Sequence, residues 1–339
     1  MNKDRKILVT GGAGFIGSHT VVSLIESGFT PIIIDDFRNS EKFILDRINQ
    51  ITALHPIAYE FDCADQNKLR EVFTEHEIGG IIHFAADKAV GESVKLPLKY
   101  YENNIQSLVS LLKIAIEFKV PDFVFSSSCT VYGEPDKVPV DENAPIGFTA
   151  SPYGYTKQVC ERICRDTAYA YSNLKITLLR YFNPIGAHPS GLIGELPLGV
   201  PNNLVPFVTQ TAAGIRDQLT VFGNDYPTVD GTCVRDYIHV CDLADAHVAA
   251  LNPSKEEGGV NIFNVGTGLG SSVLEVVRTF EKVNNLSVNH KIGERREGDA
   301  AAVFADNSKI SSELGWKPKY TLSDALAHAW TWQKQLNEK

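Results

Sequence analysis

Short apolar runs alternate with longer amphipathic segments along the first half of the chain. The runs end in turn-forming residues, whereas the segments between them repeat apolar residues at helical spacing. The runs that we expect to form strands are 6–10, 31–35, 57–61, 79–85, 121–128 and 175–181. Strands that alternate with helices favour a parallel, doubly wound sheet with right-handed crossovers. The pattern therefore predicts an α/β fold.

The second half of the chain has a different composition. From about residue 184, loops rich in Pro, Gly and Asn interrupt it. We interpret this part as a smaller α/β lobe. The predicted boundaries assign residues 1–182 to the large domain, together with segments that return to it near 234–266. They assign 183–233 and 267–339 to the smaller lobe.

A glycine-rich turn follows the first predicted strand and leads into a helical pattern. Gly12, Gly14 and Gly17 have the spacing of a dinucleotide-binding fingerprint between a strand and a helix. Glycine lets the backbone turn tightly and approach a pyrophosphate, whose charge the helix amino terminus stabilises. A tight turn without a ligand would look the same at this one place. The context between strand and helix favours a Rossmann-type nucleotide-binding domain.

Two carboxylates, Asp35 and Asp36, end the second predicted strand. A carboxylate at this point accepts hydrogen bonds from the ribose hydroxyls of NAD and would repel the 2′-phosphate of NADP. Arg38 argues the other way, since an arginine near this strand end can hold that phosphate. Because two carboxylates precede the single arginine, the sequence favours NAD as the cofactor.

Tyr153 and Lys157 lie four residues apart in a helical segment, and Ser128 ends the fifth predicted strand. Positions i and i+4 share one face of a helix, so the ammonium can lie beside the phenol. A free tyrosine has a pKa near about 10, and a neighbouring cation lowers that pKa. Taken alone, such a pair is more often an ordinary helix-surface pair. Together with the nucleotide-binding turn, it indicates proton transfer from an alcohol.

The composition excludes several classes of protein. The net charge of −9 and the lack of a basic run argue against a nucleic-acid partner. No apolar stretch is long enough to span a bilayer and no signal peptide precedes the first strand, so we expect a cytoplasmic protein without a membrane partner. The six cysteines lack Cys-x-x-Cys spacing, so we expect free thiols rather than disulfides or a metal site.

Further motifs extend along most of the chain and are more specific than the glycine turn. They are His83-Phe84-Ala85 and the segments 88–93, 180–184, 186–191, 222–227, 234–240 and 295–299. With these motifs, the chain from Ile7 to about Trp332 resembles the UDP-glucose 4-epimerase branch of the extended short-chain dehydrogenase/reductase family.

The resemblance implies an enzyme that interconverts UDP-glucose and UDP-galactose, with tightly bound NAD that is not consumed. The Tyr153 phenolate would remove the proton of the sugar 4-hydroxyl, Ser128 would bridge that hydroxyl, and Lys157 would hold the nicotinamide ribose. The 4-keto sugar would then turn about its link to the diphosphate, and hydride would return to its opposite face. A sugar that turns cannot be held firmly, so the UDP portion must supply the binding energy.

The same resemblance implies two sets of site residues. The cofactor set is Gly11, Gly14, Phe15, Ile16, Gly17, Asp35, Asn39, Ser40, Asp62, Cys63, Phe84, Ala85, Lys88, Asn103, Tyr153, Lys157 and Phe182. The substrate set is Ser128, Tyr153, Asn183, Asn203, Leu204, Phe222, Arg235, Arg296, Asp299 and Val303. The two arginines suit a diphosphate, because guanidinium donates to phosphate in a fork geometry. Without the resemblance, Arg235 would be expected in a surface ion pair with Asp236, and Phe222 in the core.

Alternatives of other classes remain open. Dehydratases of the same family carry Thr-Asp-Glu where this chain has Ser128-Cys129-Thr130, and a cysteine and a threonine cannot supply that acid/base pair. Another nucleotide-sugar-modifying enzyme, or a non-catalytic protein that binds NAD or a nucleotide sugar, could share the fold. A non-catalytic protein would have no need for Tyr153, Lys157 and Ser128 together.

Asp87 and Val303 are among the positions that depart from the pattern of the family, as are Tyr155 and Thr156. Asp87 stands where relatives often have an apolar or amide residue, and we expect its carboxylate to be solvated or paired with Lys88. Val303 matches a position beside the hexose that is tyrosine in strict glucose/galactose enzymes. Because valine is much smaller, we expect additional activity on UDP-GlcNAc and UDP-GalNAc.

The segment from Ile105 to Ile116 is apolar over more than a single helical stripe, as is usual for a helix covered on two sides. A helix buried wholly within one subunit would show the same pattern. Relatives pair two such helices per subunit, so the resemblance implies a homodimer.

Overall fold

The computed structural model describes residues 4–251, 259–296 and 298–337. Its strands are β1 Lys6–Thr10, β2 Thr30–Asp35, β3 Ile57–Glu60, β4 Ile78–His83, β5 Asp122–Ser128, β6 Lys175–Tyr181, β7 Asn183–Ile185, β8 Leu219–Phe222, β9 Val234–His239, β10 Gly259–Val265, β11 Gly270–Ser272, β12 His290–Gly293 and β13 Ala302–Val303. Its helices are α1 Phe15–Glu26, α2 Phe43–Thr52, α3 Gln66–Glu75, α4 Val90–Lys95, α5 Pro97–Glu117, α6 Pro152–Ala170, α7 Leu204–Ala212, α8 Val240–Ala249, α9 Val273–Asn284, α10 Ser308–Leu314 and α11 Leu322–Asn337.

A seven-stranded sheet forms the centre of the larger part of the molecule, in the order β10-β6-β5-β4-β1-β2-β3. Every pair of neighbouring strands in it is parallel. The predicted Rossmann-type doubly wound sheet is therefore confirmed. Because the strands are parallel, the carboxyl ends of β1, β2, β4, β5 and β6 share one edge, where ligands bind in open α/β sheets.

Helices cover both faces of this sheet. On one face, α1, α2 and α8 contribute side chains such as Leu24, Ile48 and Leu243 to a single apolar cluster with the strands. On the other face, α3, α5 and α6 contribute side chains such as Leu111 and Cys160 to a second cluster. Residues of β1 and β2 alternate between the two clusters, as expected for strands buried on both sides.

The remaining elements form a smaller part with its own core. Strands β11, β9 and β13 form a small sheet to which β7 adds along β9, and β12 pairs with β8. Helices α7, α9 and α11 contribute to the apolar cluster of this part. Of the segment near 234–266, α8 and β10 pack with the large sheet, whereas β9 lies in the smaller one. In 4–251, 259–296 and 298–337, the helices are all too short or too polar to cross a membrane.

Candidate active site

The glycine turn joins β1 to α1 at the carboxyl edge of the large sheet. Gly11 has a φ of 69°, and a Cβ placed on Gly17 would lie 2.1 Å from the Gly11 carbonyl oxygen. Gly14 precedes α1 in extended conformation and has no side chain that could cap the helix. Phe15 and Ile16 then open the helix. The turn therefore leaves the first N–H groups of α1 open towards an anion.

Asp35 ends β2 beside this turn and is 8% exposed. Its carboxylate accepts hydrogen bonds from the N–H groups of Ala13 and Phe37, both at 2.9 Å, and from the Ser40 hydroxyl at 2.8 Å. It therefore ties the glycine turn to the loop after β2, which also carries the exposed Asn39.

Arg38, the residue that argued for NADP, is already paired. Its Nε lies 3.2 Å from Asp36 Oδ2, and its guanidinium donates to the Asn103 side chain on α5. Asp36 neutralises the arginine while Asp35 stays nearby, so the ribose end of the site carries excess negative charge. That charge disfavours a 2′-phosphate.

The other predicted cofactor residues follow successive strands of the same sheet. Asp62 and the buried Cys63 follow β3, and Phe182 is buried directly after β6. Phe84 and Ala85 follow β4, where a Cβ placed on Gly11 would lie 2.9 Å from the Ala85 nitrogen. The structure therefore places Phe84 and Ala85 against the glycine turn and the other residues along the same edge of the sheet.

Lys88 and Asp87 make contacts that the sequence did not indicate. Lys88 Nζ lies 3.4 Å from Glu195 Oε1, whereas Asp87 Oδ1 lies 3.7 Å from Lys99 Nζ. The expected pairing of Asp87 with Lys88 is therefore wrong. The cause is Asn104, whose side chain holds both the N–H and the C=O of Asp87 and so fixes the direction of this loop.

Ser128, Tyr153 and Lys157 come together where β5 ends and α6 begins. Ser128 closes β5, and Tyr153 lies in the first turn of α6. Lys157 Nζ donates to the Ser126 carbonyl at 2.8 Å and lies 5.9 Å from the centre of the Tyr153 ring. Tyr153 is 7% exposed and Lys157 is 4% exposed. The strand edge and the helix together hold three polar groups in a nearly dry site.

Burial dominates the electrostatics of this group. Removal from water raises the pKa of Tyr153 well above its ordinary value, and the neighbouring Tyr181 adds to the rise, whereas a hydrogen bond with Ser128 opposes it. Burial also lowers the pKa of Lys157 to about 8, although Cys160 and Glu161 oppose the fall. The spacing of Tyr153 and Lys157 predicts a lowered pKa for Tyr153. That prediction is wrong, because burial raises this pKa and the Lys157 ammonium donates to the Ser126 carbonyl.

The predicted diphosphate-binding arginines share one carboxylate. Arg235 Nη2 and Arg296 Nε each lie 3.4 Å from an oxygen of Asp299. Arg235 Nη1 also donates to the Ala300 carbonyl at 2.8 Å. The Arg296 guanidinium lies 4.7 Å from the centre of the Phe222 ring, which is 40% exposed rather than in the core. Two cations on one anion leave a net positive charge for a phosphate ligand.

The remaining predicted substrate residues are Val303, Asn183, Asn203 and Leu204. Val303 pairs with Arg235 across β13 and β9, is 8% exposed, and belongs to a small apolar cluster with Phe182. Asn183 is exposed at the start of β7. Asn203 and Leu204 stand at the start of α7, where Asn203 Nδ2 donates to Glu195 Oε1 at 2.6 Å. Asn203 thus contacts the same oxygen as Lys88.

Sequence reasoning missed Glu161, Arg180 and Glu195. Glu161 lies four residues after Lys157 on α6, and Arg180 is a charged residue inside an apolar strand. Both signals were present, because a charge in a buried strand needs a partner. Glu195 lies in a loop, where no local pattern pointed to it. Within the part of the chain that the structure describes, no cluster of His, Cys, Asp or Glu is suited to a metal ion.

A glycine turn at the end of β1, an acidic residue at the end of β2, and a Ser–Tyr–Lys group at the ends of β5 and α6 share one edge of a parallel sheet. That arrangement defines a site of the short-chain dehydrogenase/reductase type. The sequence family described as GDP-mannose 4,6 dehydratase matches residues 8–329.

Similarity to individual proteins identifies the family more closely. The UDP-glucose 4-epimerase of Bacillus subtilis (strain 168) is 51% identical over 327 residues, which are 96% of each chain. The structure of UDP-glucose 4-epimerase from Stenotrophomonas maltophila, with bound NAD and formylated UDP-arabinopyranose, has a TM-score of 0.96 at 46% identity, over 98% of this chain and 99% of that one. The enzyme from Bifidobacterium longum, in complex with NAD+ and UDP, has a TM-score of 0.94 at 47% identity, over 97% and 98%. This chain belongs to the UDP-glucose 4-epimerase family.

A dehydratase, which the family description names, would need other residues at one place in this site. Dehydration needs an acid/base pair beside Ser128, where this chain has Cys129 and Thr130. Burial raises the pKa of Cys129 to about 12, so its thiol stays neutral at physiological pH. The residues present therefore do not supply the acid/base pair of a dehydratase.

Proposed function

We propose that this protein interconverts UDP-glucose and UDP-galactose by oxidation at C4, rotation of the 4-keto sugar and reduction on its other face. The observation that carries this proposal is that Tyr153 and Lys157 stand one helical turn apart at the start of α6, with Lys157 Nζ 5.9 Å from the centre of the Tyr153 ring, next to the end of β5 where Ser128 lies. These groups stand on the same sheet edge as the glycine turn and Asp35. They form a proton-transfer site beside a dinucleotide cradle.

The residues present fit NAD. Side chains on Gly11 or Gly17 would collide with neighbouring backbone, so glycine at both positions lets the turn close tightly before α1, whose uncapped first N–H groups suit a pyrophosphate. Asp35 is suited to the ribose hydroxyls, and Arg38 is paired with Asp36 rather than free to hold a 2′-phosphate. Bound NAD supplies the acceptor for the C4 hydride and later its donor. Because the cycle regenerates it, we propose that NAD is held tightly.

Proton transfer falls to Tyr153, with Ser128 and Lys157 controlling its charge. Burial makes the phenolate costly, so Tyr153 needs positive charge close to it when it takes the 4-hydroxyl proton. Lys157 is charged below its pKa of about 8 and supplies part of that charge. The Ser128 hydroxyl, at the end of β5, is proposed to bridge the phenol to the sugar oxygen. The same phenol returns the proton when hydride comes back.

Most of the proposed substrate contacts are with the UDP portion. Arg235 and Arg296, held by Asp299, supply fork-shaped donors for the diphosphate, and Phe222 offers an exposed ring beside Arg296. Asn183, Asn203 and Leu204 are proposed to complete the UDP contacts. Around the hexose we propose only Ser128, Tyr153 and Val303, which leaves the sugar free to turn.

Val303 sets the space beside the hexose. Its side chain belongs to a small apolar cluster with Phe182 and is much smaller than the tyrosine of strict glucose/galactose enzymes. We propose that this space admits the N-acetyl group of UDP-GlcNAc and UDP-GalNAc. Activity on these sugars would be additional to the glucose/galactose reaction.

Conversion of UDP-galactose by purified protein without added NAD tests the function directly. Formation of UDP-glucose, followed by chromatography, is the expected result and would establish both the reaction and a retained cofactor. No conversion, even with NAD added, would contradict the proposal and leave another nucleotide-sugar reaction or the non-catalytic alternative. Tyr153→Phe is the matched control, because it should slow conversion by about 10²–10⁴-fold while the protein remains folded.

We further propose that residues 1–182, with the segments near 234–266, form the NAD-binding domain, and that 183–233 and 267–339 bind the UDP-sugar. The paired strands β10 and β6 support this division, since β10 returns to the large sheet. The placement of β9 in the smaller sheet makes this return less complete than the boundaries suggest. The six cysteines are free thiols, which suits the reducing cytoplasm that we propose as its location.

A homodimer is proposed from the outer faces of α5 and α6. Val109, Leu112, Ile116, Ile163 and Tyr171 line a shallow groove between these helices. Tyr171 is 48% exposed, so apolar surface stays open to solvent in the isolated chain. A second copy of the same helix pair would cover it. Light scattering should give twice the chain mass of 37.3 kDa, and a monomeric mass would contradict the proposal.

A further inference from the structure

Asp87 carries a buried carboxylate oxygen whose hydrogen-bonding capacity is unused. Among the described residues, Asp87 Oδ2 has no hydrogen-bond partner, and the atom is shielded from solvent. The other oxygen, Oδ1, lies 3.7 Å from Lys99 Nζ, which is longer than a hydrogen bond. Lys99 Nζ instead donates to both carboxylate oxygens of Glu92 at 3.1 Å. A buried carboxylate oxygen without a donor is costly, so this position calls for a donor from a ligand.

The backbone around Asp87 is fixed on both sides of the peptide. Asn104 Oδ1 accepts from the Asp87 N–H at 2.8 Å, and Asn104 Nδ2 donates to the Asp87 carbonyl at 3.0 Å. The adjacent Lys88 extends towards Glu195, so it does not neutralise Asp87. The direction of the Asp87 side chain is therefore set by the fold, although its own oxygen Oδ2 gains nothing from that arrangement.

The same contacts place Asp87 between two parts of the proposed NAD site. Two residues before it, Ala85 lies against the glycine turn that is suited to the pyrophosphate. On the other side, Asn104 Nδ2 also donates to Thr156 Oγ1 at 3.2 Å, and the Thr156 hydroxyl donates to the Tyr153 carbonyl at 2.7 Å. A continuous set of hydrogen bonds thus connects the Asp87 loop to the first turns of α6, where the nicotinamide is proposed to bind.

We propose that Asp87 Oδ2 accepts a hydrogen bond from the carboxamide of bound NAD and places a negative charge beside the nicotinamide ring. The oxidised ring carries a positive charge that the reduced ring lacks, so a carboxylate at this place stabilises NAD+ relative to NADH. This preference favours return of the hydride to the 4-keto sugar and restores NAD+ at the end of each cycle. The inference rests on the proposed function, which puts the nicotinamide beside Tyr153 and Lys157.

The relative affinity for NAD+ and NADH reports this charge directly. Holoenzyme is equilibrated with a known mixture of free NAD+ and NADH, and the cofactors that remain bound are quantified by chromatography. Asp87→Asn keeps the size of the side chain and an acceptor oxygen but removes the charge, so the bound NAD+/NADH ratio should fall about tenfold. Redox titration of the holoenzyme gives the same comparison where exchange is slow. A tenfold change raises the midpoint potential of this two-electron couple by about 30 mV.

Asp35→Asn is the matched control at the other end of the cofactor. The adenosine half is the same in both oxidation states, so this variant should weaken NAD+ and NADH by one common factor and leave their ratio unchanged. An unchanged ratio in Asp87→Asn would overturn the inference, and a common loss of both affinities would overturn it as well, because Asp87 would then act only on the fold. A shifted ratio in protein that converts no UDP-galactose would contradict the proposed function and support the contact of Asp87 with the nicotinamide.

Discussion

Glu161 and Arg180 form a doubly hydrogen-bonded ion pair between the sheet and α6, the helix that carries Tyr153 and Lys157. Arg180 Nε and Nη2 donate to the two carboxylate oxygens at 2.8 and 2.6 Å, and each side chain is 1% exposed. The Ser127 hydroxyl donates to the same carboxylate at 2.7 Å. The pair therefore joins α6 to β5 and β6, the strands that bring Ser128 and Tyr181 to the site.

Breaking this pair should destabilise the protein strongly. Glu161→Gln leaves the guanidinium of Arg180 buried without a counter-charge, which should lower the free energy of unfolding by about 3–5 kcal/mol. Urea unfolding followed by circular dichroism measures the loss. Asp166→Asn is the matched control on the same helix, because the Arg162–Asp166 pair is exposed and should be worth under about 0.5 kcal/mol. Equal losses in the two variants would contradict the structural role of the pair.

Removal of one hydroxyl should separate binding from proton transfer. Tyr153→Phe should keep NAD content and UDP affinity but lower kcat by about 10²–10⁴-fold, since it deletes only the proton acceptor. Tyr155→Phe, two residues later on α6 and 51% exposed, should leave kcat unchanged. Steady-state kinetics and UDP titration of both variants check this. Weak UDP binding with normal residual turnover in Tyr153→Phe would assign the base to another residue.

Loss of Asp35 should release the cofactor. Asp35→Ala removes the acceptor proposed for the ribose hydroxyls and also the hydrogen bonds to Ala13 and Ser40. We expect the NAD content of the purified protein to fall at least about tenfold, as for the loss of one charge-assisted hydrogen bond. Asp36→Ala should retain NAD, because that side chain pairs with Arg38. Unchanged NAD content in Asp35→Ala would put the ribose contact elsewhere.

The large sheet and its glycine turn could be predicted from sequence because their signals are local. Strands β1 to β6 begin and end within two residues of the predicted runs. Strand β4, which is buried on both faces, could be recognised from its mostly apolar run. Strands β7, β11 and β13 have three residues or fewer, which is too short for any periodicity. The smaller lobe could therefore be predicted only from the change to loops rich in Pro, Gly and Asn.

The features of the site likewise fall into those that a local sequence pattern predicts and those that it does not. The spacing of Tyr153 and Lys157 on one helix is a local property, and so is the position of Ser128 at a strand end. The partner of Lys88 is not, since Glu195 is 107 residues away in sequence. The effect of burial on Tyr153 also escaped prediction, because spacing says nothing about how much water a fold removes from a side chain.

The size of residue 303 should decide which sugars react. Wild-type protein should convert UDP-GalNAc to UDP-GlcNAc, and Val303→Tyr should lose this activity while it keeps UDP-galactose turnover. The tyrosine ring would fill the space beside the hexose, which a sugar without an N-acetyl group does not need. Val303→Ala is the control for disturbance of the cluster with Phe182, and it should keep both activities. Failure of the wild type on UDP-GalNAc, or an unaltered preference in Val303→Tyr, would refute the assignment.

Buried histidines should make the fold sensitive to acid. Burial lowers the pKa of His19, His83 and His239 to about 3 each, against 6.5 when exposed. His239 shows why: its Nδ1 accepts from the Cys241 N–H at 3.0 Å and so caps α8, while its other ring nitrogen contacts His328 Nδ1 at 3.0 Å. A second proton on His239 would break the cap.

The sign of the pH dependence follows from these values. Above about pH 6.5 each histidine is neutral in both the folded and the unfolded chain, so none of them lowers stability. Between about pH 6.5 and 3 the unfolded chain takes up protons that the folded protein refuses. Each such histidine then lowers the free energy of unfolding by about 1.4 kcal/mol per pH unit. Urea unfolding at pH 7, 6 and 5 should therefore show a steep loss, and His239→Gln should flatten it by about one proton, whereas replacing the exposed His55 with Gln should not. The same slope in His239→Gln and wild type would show that His239 takes up its proton in the folded state.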